Sequence, residues 1–203
     1  MNFIKTILRS FRKNKIFSLI NIVGLTVGLT SCILIGLYIQ RQLSFDKFQK
    51  NGDRIVRVIM EYSFEGSDAT NKGNYTSVRV PVVLKKNFPE VEDAVIMVNT
   101  SSIINTGENL NTEKNFLYAG SSFFKMFSFK LLSGNPNTVL ENPFDVVLSE
   151  STAKRYFGNQ NPVGKMLRLT GSDNPYKITG VVTDCPPNSQ IQFDFVASFS
   201  SLK

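Results

Sequence analysis

One uninterrupted apolar run near the N-terminus dominates the hydrophobic pattern of this chain. Residues 16–39 (IFSLINIVGLTVGLTSCILIGLYI) carry no charge over 24 positions. As a helix this run extends about 36 Å, enough to cross a hydrocarbon core of about 30 Å. A cleaved signal peptide is the alternative, but its apolar region is only about 7–15 residues long and ends in small residues. The pattern therefore predicts a retained transmembrane helix over residues 16–41.

The residues before this run are basic and amphipathic. Apolar side chains recur at helical spacing from Phe3 to Phe11, and no acidic residue is present. The basic side chains are Lys5, Arg9, Arg12, Lys13 and Lys15. Because positive flanks stay on the cytoplasmic side, residues 1–15 are predicted to lie inside and the chain after about Gln40 outside. We expect residues 1–15 to form a basic helix on the lipid surface; a flank without fixed structure is the alternative.

Small residues recur at every fourth position inside the apolar run. They are Gly24, Gly28, Cys32 and Gly36. Residues four apart lie on one face of a helix, and small side chains there let a second membrane helix approach closely. The spacing predicts a packing face, although glycine is common in membrane helices and the spacing could be coincidental. Asn21 is also expected to face protein rather than lipid.

The chain after the span mixes strand and helix patterns without regular alternation. Runs rich in β-branched and aromatic residues predict strands at 55–62, 94–99, 115–119, 145–148, 165–170, 176–183 and 192–197. Helical spacing predicts helices at 80–87, 121–127 and 150–157, the last begun by Ser149 as its N-cap. Residues 65–74 are predicted to form a loop. The short turns between the last strands indicate an α+β domain over residues 42–203 with mostly antiparallel pairing.

Charge and cysteine content narrow the classes of function. The net charge is +7, but residues 1–39 hold five basic residues and no acidic one, so the remainder is almost neutral. No stripe of Lys and Arg interleaved with aromatic residues suggests a nucleic-acid partner. The chain has no histidine, and Cys32 lies in the span while Cys185 lies well outside it. We therefore expect no disulfide, no metal site and no cofactor.

Two motifs resemble catalytic or nucleotide-binding sequences but fail on spacing. Ser151–Lys154 matches S-x-x-K and Ser172–Asn174 matches S-D-N, yet Lys177–Gly180 has one residue too many for K-T-G. Only 17 residues separate Lys154 from Ser172, which leaves little room for a helical domain. The loop 158–165 has five residues between its glycines and Met166 where a phosphate-binding loop needs Ser or Thr. We predict no catalytic residue and no enzymatic activity, and expect Gly158 to cap the preceding helix.

Ten short motifs in a fixed order carry a family resemblance. They are residues 8–15 (LRSFRKNK), 18–25 (SLINIVGL), 42–48 (QLSFDKF), 53–58 (DRIVRV), 88–91 (FPEV), 123–127 (FFKMF), 147–158 (VLSESTAKRYFG), 161–165 (NPVGK), 178–182 (ITGVV) and 186–189 (PPNS). Together they resemble MacB/FtsX-like ABC transporter permeases, with a MacB-type periplasmic core domain over residues 42–203. Gln190 departs from the pattern, because a histidine is expected after Ser189.

The resemblance implies a permease of the bacterial inner membrane that does not itself hydrolyse ATP. A cytoplasmic ATP-binding subunit would do so, and the membrane helices would pass the motion to the periplasmic domain for export or mechanotransmission. Such permeases typically form homodimers or heterodimers, and some work with a periplasmic adaptor. Family members carry further spans after this domain, so the chain is expected to be incomplete at its C-terminus. The alternative is an FtsX-like membrane adaptor that regulates a cell-wall hydrolase; an adjacent adaptor gene or hydrolase gene would distinguish the two.

Overall fold

The computed structural model describes residues 15–63, 70–73, 75–105 and 110–202. The chain divides into two compact units, residues 1–45 and residues 46–203, and the second is called the core domain below. Of the basic helix predicted over residues 1–15, all but Lys15 lies outside the described residues. Lys15 is exposed and begins the helix of the first unit.

The first unit contributes one long helix, α1, from Lys15 to Leu43. Its 29 residues would extend about 43 Å at 1.5 Å per residue, and none of them is buried. Two polar side chains bond within the helix: Thr26 Oγ1 donates to the Ile22 carbonyl at 2.7 Å and Ser31 Oγ to the Val27 carbonyl at 2.9 Å. Each of these bonds satisfies a hydroxyl group that hydrocarbon could not. Among the described residues, α1 is the helix long and apolar enough to cross a membrane.

The core domain combines nine strands with three short helices in the described residues. The strands are β1 Met60–Ser63, β2 Thr70–Gly73, β3 Met97–Asn105, β4 Leu110–Ala119, β5 Leu131–Ser133, β6 Asp145–Ser149, β7 Met166–Leu169, β8 Tyr176–Val182 and β9 Phe195–Ser198. The helices are α2 Val80–Asn87, α3 Phe123–Met126 and α4 Glu150–Phe157. One 3-10 turn covers Gly52–Arg54 and another covers Phe199–Leu202.

Seven of the strands form one sheet that closes on itself. Their order is β5-β8-β6-β9-β4-β3-β7, and β7 also pairs with β8. A ring of six strands results, with β5 attached to β8 as a branch. The pairs β4–β9 and β6–β8 are parallel, whereas the other pairings are antiparallel. The predicted α+β domain with mostly antiparallel pairing is confirmed.

The middle of the sheet is buried on both faces, whereas most residues of β3 are exposed. Successive residues of β4 alternate between two hydrophobic clusters: Phe116 and Tyr118 point to one, and Leu117 and Ala119 to the other. Every residue of β6 and β9 is buried. Strands covered on both sides lose the alternation of polar and apolar residues, so they appear in the sequence as continuous apolar runs.

Helix α4 shows the local signals that made it predictable. Ser149 has an extended backbone, and its Oγ accepts a hydrogen bond from the Thr152 N–H. Gly158 follows the last turn with a φ of 60°, a conformation that glycine adopts without steric cost. The predicted N-cap, helix bounds and C-terminal glycine are therefore confirmed.

Several strand predictions need correction, including those at 94–99 and 115–119, where the strands extend over Met97–Asn105 and Leu110–Ala119. The strand predicted at 55–62 forms only at Met60–Ser63, because β2 is the sole described strand that pairs with it. β2 itself lies inside the predicted loop 65–74, where the antiparallel register pairs Tyr62 with Asn71. β5 was not predicted, since three residues are too short to show a period.

Candidate functional site: the segment that follows the membrane helix

The small-residue face of α1 is open in the described part of the chain. A Cβ atom added at Gly24, Gly28 or Gly36 would meet no heavy atom within 4 Å outside the helix's own backbone. Cys32 on the same face is exposed. A second membrane helix would therefore find space along this face, and its packing role stays a prediction.

Immediately beyond α1, residues 46–55 begin the core domain; we call them the junction segment. Its first anchor is Asp46, whose backbone N–H donates to the Asn188 carbonyl at 2.9 Å. Asp46 Oδ1 accepts hydrogen bonds from Ser189 Oγ and from the Gln190 N–H, both at 3.1 Å. One residue of the junction segment thus holds three consecutive residues of the loop between β8 and β9.

The second anchor of the junction segment reaches a different loop. Gln49 is buried, and its Oε1 accepts a hydrogen bond from the Ser128 N–H at 2.7 Å. The Lys50 N–H donates in return to Ser128 Oγ at 2.9 Å. Phe48 lies beside Phe129, with ring centroids 5.4 Å apart. These contacts attach the segment to the connection between α3 and β5.

The loop that receives Asp46 is braced by its own hydrogen bonds. The Ser189 N–H donates to the Pro186 carbonyl at 3.0 Å, and Gln192 Nε2 donates to the carbonyls of Pro186 and Ser189, both at 2.9 Å. Ser189 is only 4% exposed, and its Oγ also accepts from the Ile191 N–H at 3.2 Å. These bonds link residues 186, 189, 191 and 192 within one turn.

These anchors join two of the sequence motifs that carry the resemblance. Asp46 belongs to the motif at 42–48, and Ser189 ends the motif at 186–189, 143 residues away. Sequence reasoning missed the contact, because no local spacing signals it. The departure at Gln190 leaves the contact intact, since the backbone N–H of this residue is the donor.

A polar cluster fastens α4 to the sheet at another position. Arg155 Nη2 lies 2.9 Å from both carboxylate oxygens of Glu113, and Tyr156 OH donates to Glu113 Oε1 at 2.6 Å. Glu113 is buried on β4. Burial, together with the bond to Glu113, raises the pKa of Tyr156 and keeps its proton in place. Both oxygens of the Glu113 carboxylate therefore have hydrogen-bond partners. This arrangement suits a structural role that holds α4 on the sheet better than it suits proton transfer.

The residues that resembled catalytic motifs have local structural contacts. The Ser151 N–H lies in the first turn of α4 and donates to Asp184 Oδ1 at 3.0 Å. Residues 172–174 lie between β7 and β8, where Ser172 Oγ donates to the Asn174 carbonyl at 2.9 Å. Burial raises the pKa of the Cys185 thiol to about 11, which disfavours the nucleophilic thiolate. The described residues contain no group of three or more His, Cys, Asp or Glu side chains that could hold a metal ion.

Replacing Ser151 with alanine is expected to leave the activity of the full-length protein within about threefold of the parent. The Ser151 side chain is exposed, and such surface changes are usually worth under about 0.5 kcal/mol. Activity of the variant in membranes and labelling with a β-lactam probe check this expectation. Covalent labelling at Ser151 would show that the residue is a nucleophile.

Comparisons with known proteins agree with the resemblance drawn from the motifs. The chain is 25% identical over 179 residues to a macrolide export ATP-binding/permease protein MacB of Aggregatibacter actinomycetemcomitans, and 24% identical over 177 residues to that of Mannheimia succiniciproducens. In both cases 84% of this chain is matched, and the chain spans 27% of the relative's length. It therefore covers about a quarter of these proteins.

A solved structure shares the fold. A crystallised domain assigned to a permease protein of Porphyromonas gingivalis superposes with a TM-score of 0.54 at 26% identity, covering 67% of this chain and 58% of that one. The sequence profile of the MacB-like periplasmic core domain matches residues 18–203, which is most of the chain. The chain therefore belongs to the MacB-like periplasmic core domain family.

Proposed function

We propose that this chain supplies a membrane helix and the periplasmic core domain of a permease subunit in an ABC-type transporter. In this proposal a cytoplasmic subunit binds and hydrolyses ATP, and the permease converts that cycle into a conformational change outside the membrane. Two relatives are ATP-binding/permease proteins by name. The loop at 158–165, which follows α4, matches the spacing of a phosphate-binding loop only in part.

The attachment of the junction segment carries this proposal. Asp46 lies three residues after the last residue of α1, and it is bonded to the loop between β8 and β9. Gln49 is bonded to the connection between α3 and β5. A displacement passed along the chain to Asp46 and Gln49 would therefore reach two loops of the core domain.

The membrane arrangement is part of the same proposal. Residues 1–15 lie in the cytoplasm, where Lys5, Arg9, Arg12, Lys13 and Lys15 contact lipid headgroups. The small-residue face of α1 packs against another helix of the permease or of its dimer mate, as a homodimer or a heterodimer. A periplasmic adaptor would extend the assembly for export.

Reporter fusions test the orientation. Fusions placed after Asn51 and after Lys203 should both show periplasmic activity, because five positive charges precede the apolar run and retain the N-terminus inside. Alkaline phosphatase activity measures a periplasmic location and a β-galactosidase fusion serves as the reciprocal control. Cytoplasmic activity at either site would overturn the proposed topology.

Co-purification of the full-length protein tests the partner. Affinity purification from cross-linked membranes is expected to recover an ABC-type ATP-binding subunit in amounts comparable to the permease. A periplasmic adaptor in the same preparation would favour export, whereas a cell-wall hydrolase would favour the FtsX-like regulatory role. A permease that purifies without any ATP-binding subunit, while a known permease treated in parallel retains its own, contradicts the proposal.

A further inference from the structure

We propose that Asp46 is a positioning residue that ties movement of the membrane helix to the loop at 186–190, an inference that rests on the proposed permease function. The residue is the first of the core domain. Its main-chain N–H and its carboxylate together engage Asn188, Ser189 and Gln190. No enzymatic or ligand-binding role is involved; the residue acts through the loop that it holds.

The backbone conformation of Asp46 supports a specific role for its side chain. Its φ is 55°, in the left-handed region that glycine occupies freely and other residues occupy at a cost. Asp and Asn are the side chains that tolerate this region best, because their short polar groups bond locally. Glycine would adopt this backbone conformation at a lower cost, yet the position holds an aspartate. The two hydrogen bonds that Asp46 Oδ1 accepts explain why a carboxylate is useful here.

The loop that Asp46 holds is placed to pass movement into the sheet. It connects β8, which pairs with β5, β6 and β7, to β9, whose residues are all buried. A shift of residues 186–190 would therefore displace the ends of β8 and β9, and through β8 the strands that pair with it. Gln49 and Ser128 form a separate attachment, so removal of the Asp46 side chain leaves the junction segment docked.

Three substitutions separate the contributions of Asp46. Asp46→Asn keeps an oxygen acceptor and a side chain suited to the left-handed region, so the loop contact should persist. Asp46→Gly keeps the backbone conformation and the N–H donor but removes the acceptor. Ser189→Ala removes one of the two donors to Asp46 Oδ1 and also the acceptor of the Ile191 N–H, but it changes no residue of the junction segment. If Asp46 and Ser189 act together, the double variant should lose no more of the nucleotide-dependent difference in hydrogen exchange at residues 186–192 than Asp46→Gly loses alone.

Hydrogen exchange of the full-length permease bound to its ATP-binding partner tests the proposal. The peptide 186–192 is informative because Pro186 and Pro187 carry no amide proton, so few amides report. In the ADP state, Asp46→Gly should speed exchange at Gln190 roughly fivefold to tenfold, as expected for a lost hydrogen bond. In the parent and in Asp46→Asn, exchange of this peptide should differ between the ATP and ADP states. In Asp46→Gly and Ser189→Ala that difference should vanish or fall several-fold.

The outcomes distinguish this inference from the proposed function. A nucleotide-dependent difference that persists undiminished in Asp46→Gly shows that Asp46 only stabilises the fold, and the inference is wrong while the function stands. The absence of any nucleotide-dependent difference across residues 46–203 of the parent overturns the proposed function, and the inference with it. If Asp46→Gly fails to assemble, Ser189→Ala decides, because an undiminished difference in that variant contradicts the coupled pair.

Discussion

Replacing Phe123 with alanine is expected to lower the free energy of unfolding of the protein by about 3–5 kcal/mol. The Phe123 side chain is 0% exposed. Its ring lies among the rings of Phe124, Phe127, Phe129 and Phe193, at centroid distances of 5.0, 5.1, 5.7 and 5.8 Å. Removal of the ring leaves a cavity that these neighbours fill only in part. Since small domains are stable by only about 5–15 kcal/mol, a large share of the stability would be lost.

The loss at Phe123 should also weaken the second anchor of the junction segment. Phe129, which stacks on Phe123, is the ring against which Phe48 packs. Urea unfolding of the detergent-solubilised protein, followed by near-ultraviolet circular dichroism, measures the change. Phe88→Ala is the matched control, because Phe88 is 50% exposed and should lose under about 0.5 kcal/mol. Equal losses at the two positions would show that Phe123 is not part of a packed core.

The second large effect is expected from Gly28→Leu in the membrane helix. The substitution leaves insertion intact, because it makes the span more hydrophobic. A leucine at this position would push a neighbouring helix away from the backbone, so most of the helix–helix contact that drives association in lipid should be lost. We expect the full-length variant to reach the membrane but to recover less than about a tenth of the assembled complex.

Thr30→Leu is the matched control for this prediction. Residue 30 lies about 200° around the helix from residue 28, on the opposite face, and receives the same side chain. Complex yield after cross-linking in membranes, normalised to the inserted permease, measures both variants. Normal assembly of Gly28→Leu would mean that the face meets lipid and that its four-residue spacing is a coincidence.

The sequence predicted those parts of the fold that depend on local signals. The bounds of helix α4 could be predicted because its N-cap Ser149 and its terminal Gly158 both lie within one stretch of ten residues. Helix α1 could be predicted from the length and hydropathy of its apolar run alone, which also make it a candidate membrane span. The β4–β9 pairing, in contrast, joins Phe116 to Phe195 in a parallel register that no local pattern encodes. Strand order and the closure of the sheet through β7 and β8 could not be predicted for the same reason.

The candidate site was predictable only as two unconnected motifs. The motifs at 42–48 and 186–189 both carry the resemblance, but the contact between them spans 143 positions and needs the folded sheet between them. Asp46 also lacks a composition or spacing signal, since its left-handed backbone is a property of the turn and not of the residue type alone. Gln49 was missed because a buried polar side chain appears in the sequence as an ordinary surface residue.

Coupling between ATP binding in the cytoplasm and movement of the core domain is tested most directly by a distance measurement on the assembled permease. Lys114 is exposed on β4, so a spin label at Lys114→Cys, in a background without other cysteines, reports on the sheet. Pulsed electron paramagnetic resonance gives the distance between the labels of the two core domains in the proposed permease dimer, measured in lipid nanodiscs. The proposed function predicts that this distance distribution differs between the ATP and ADP states, and that the difference disappears when the partner's nucleotide site is disabled. Identical distributions in both nucleotide states would contradict it.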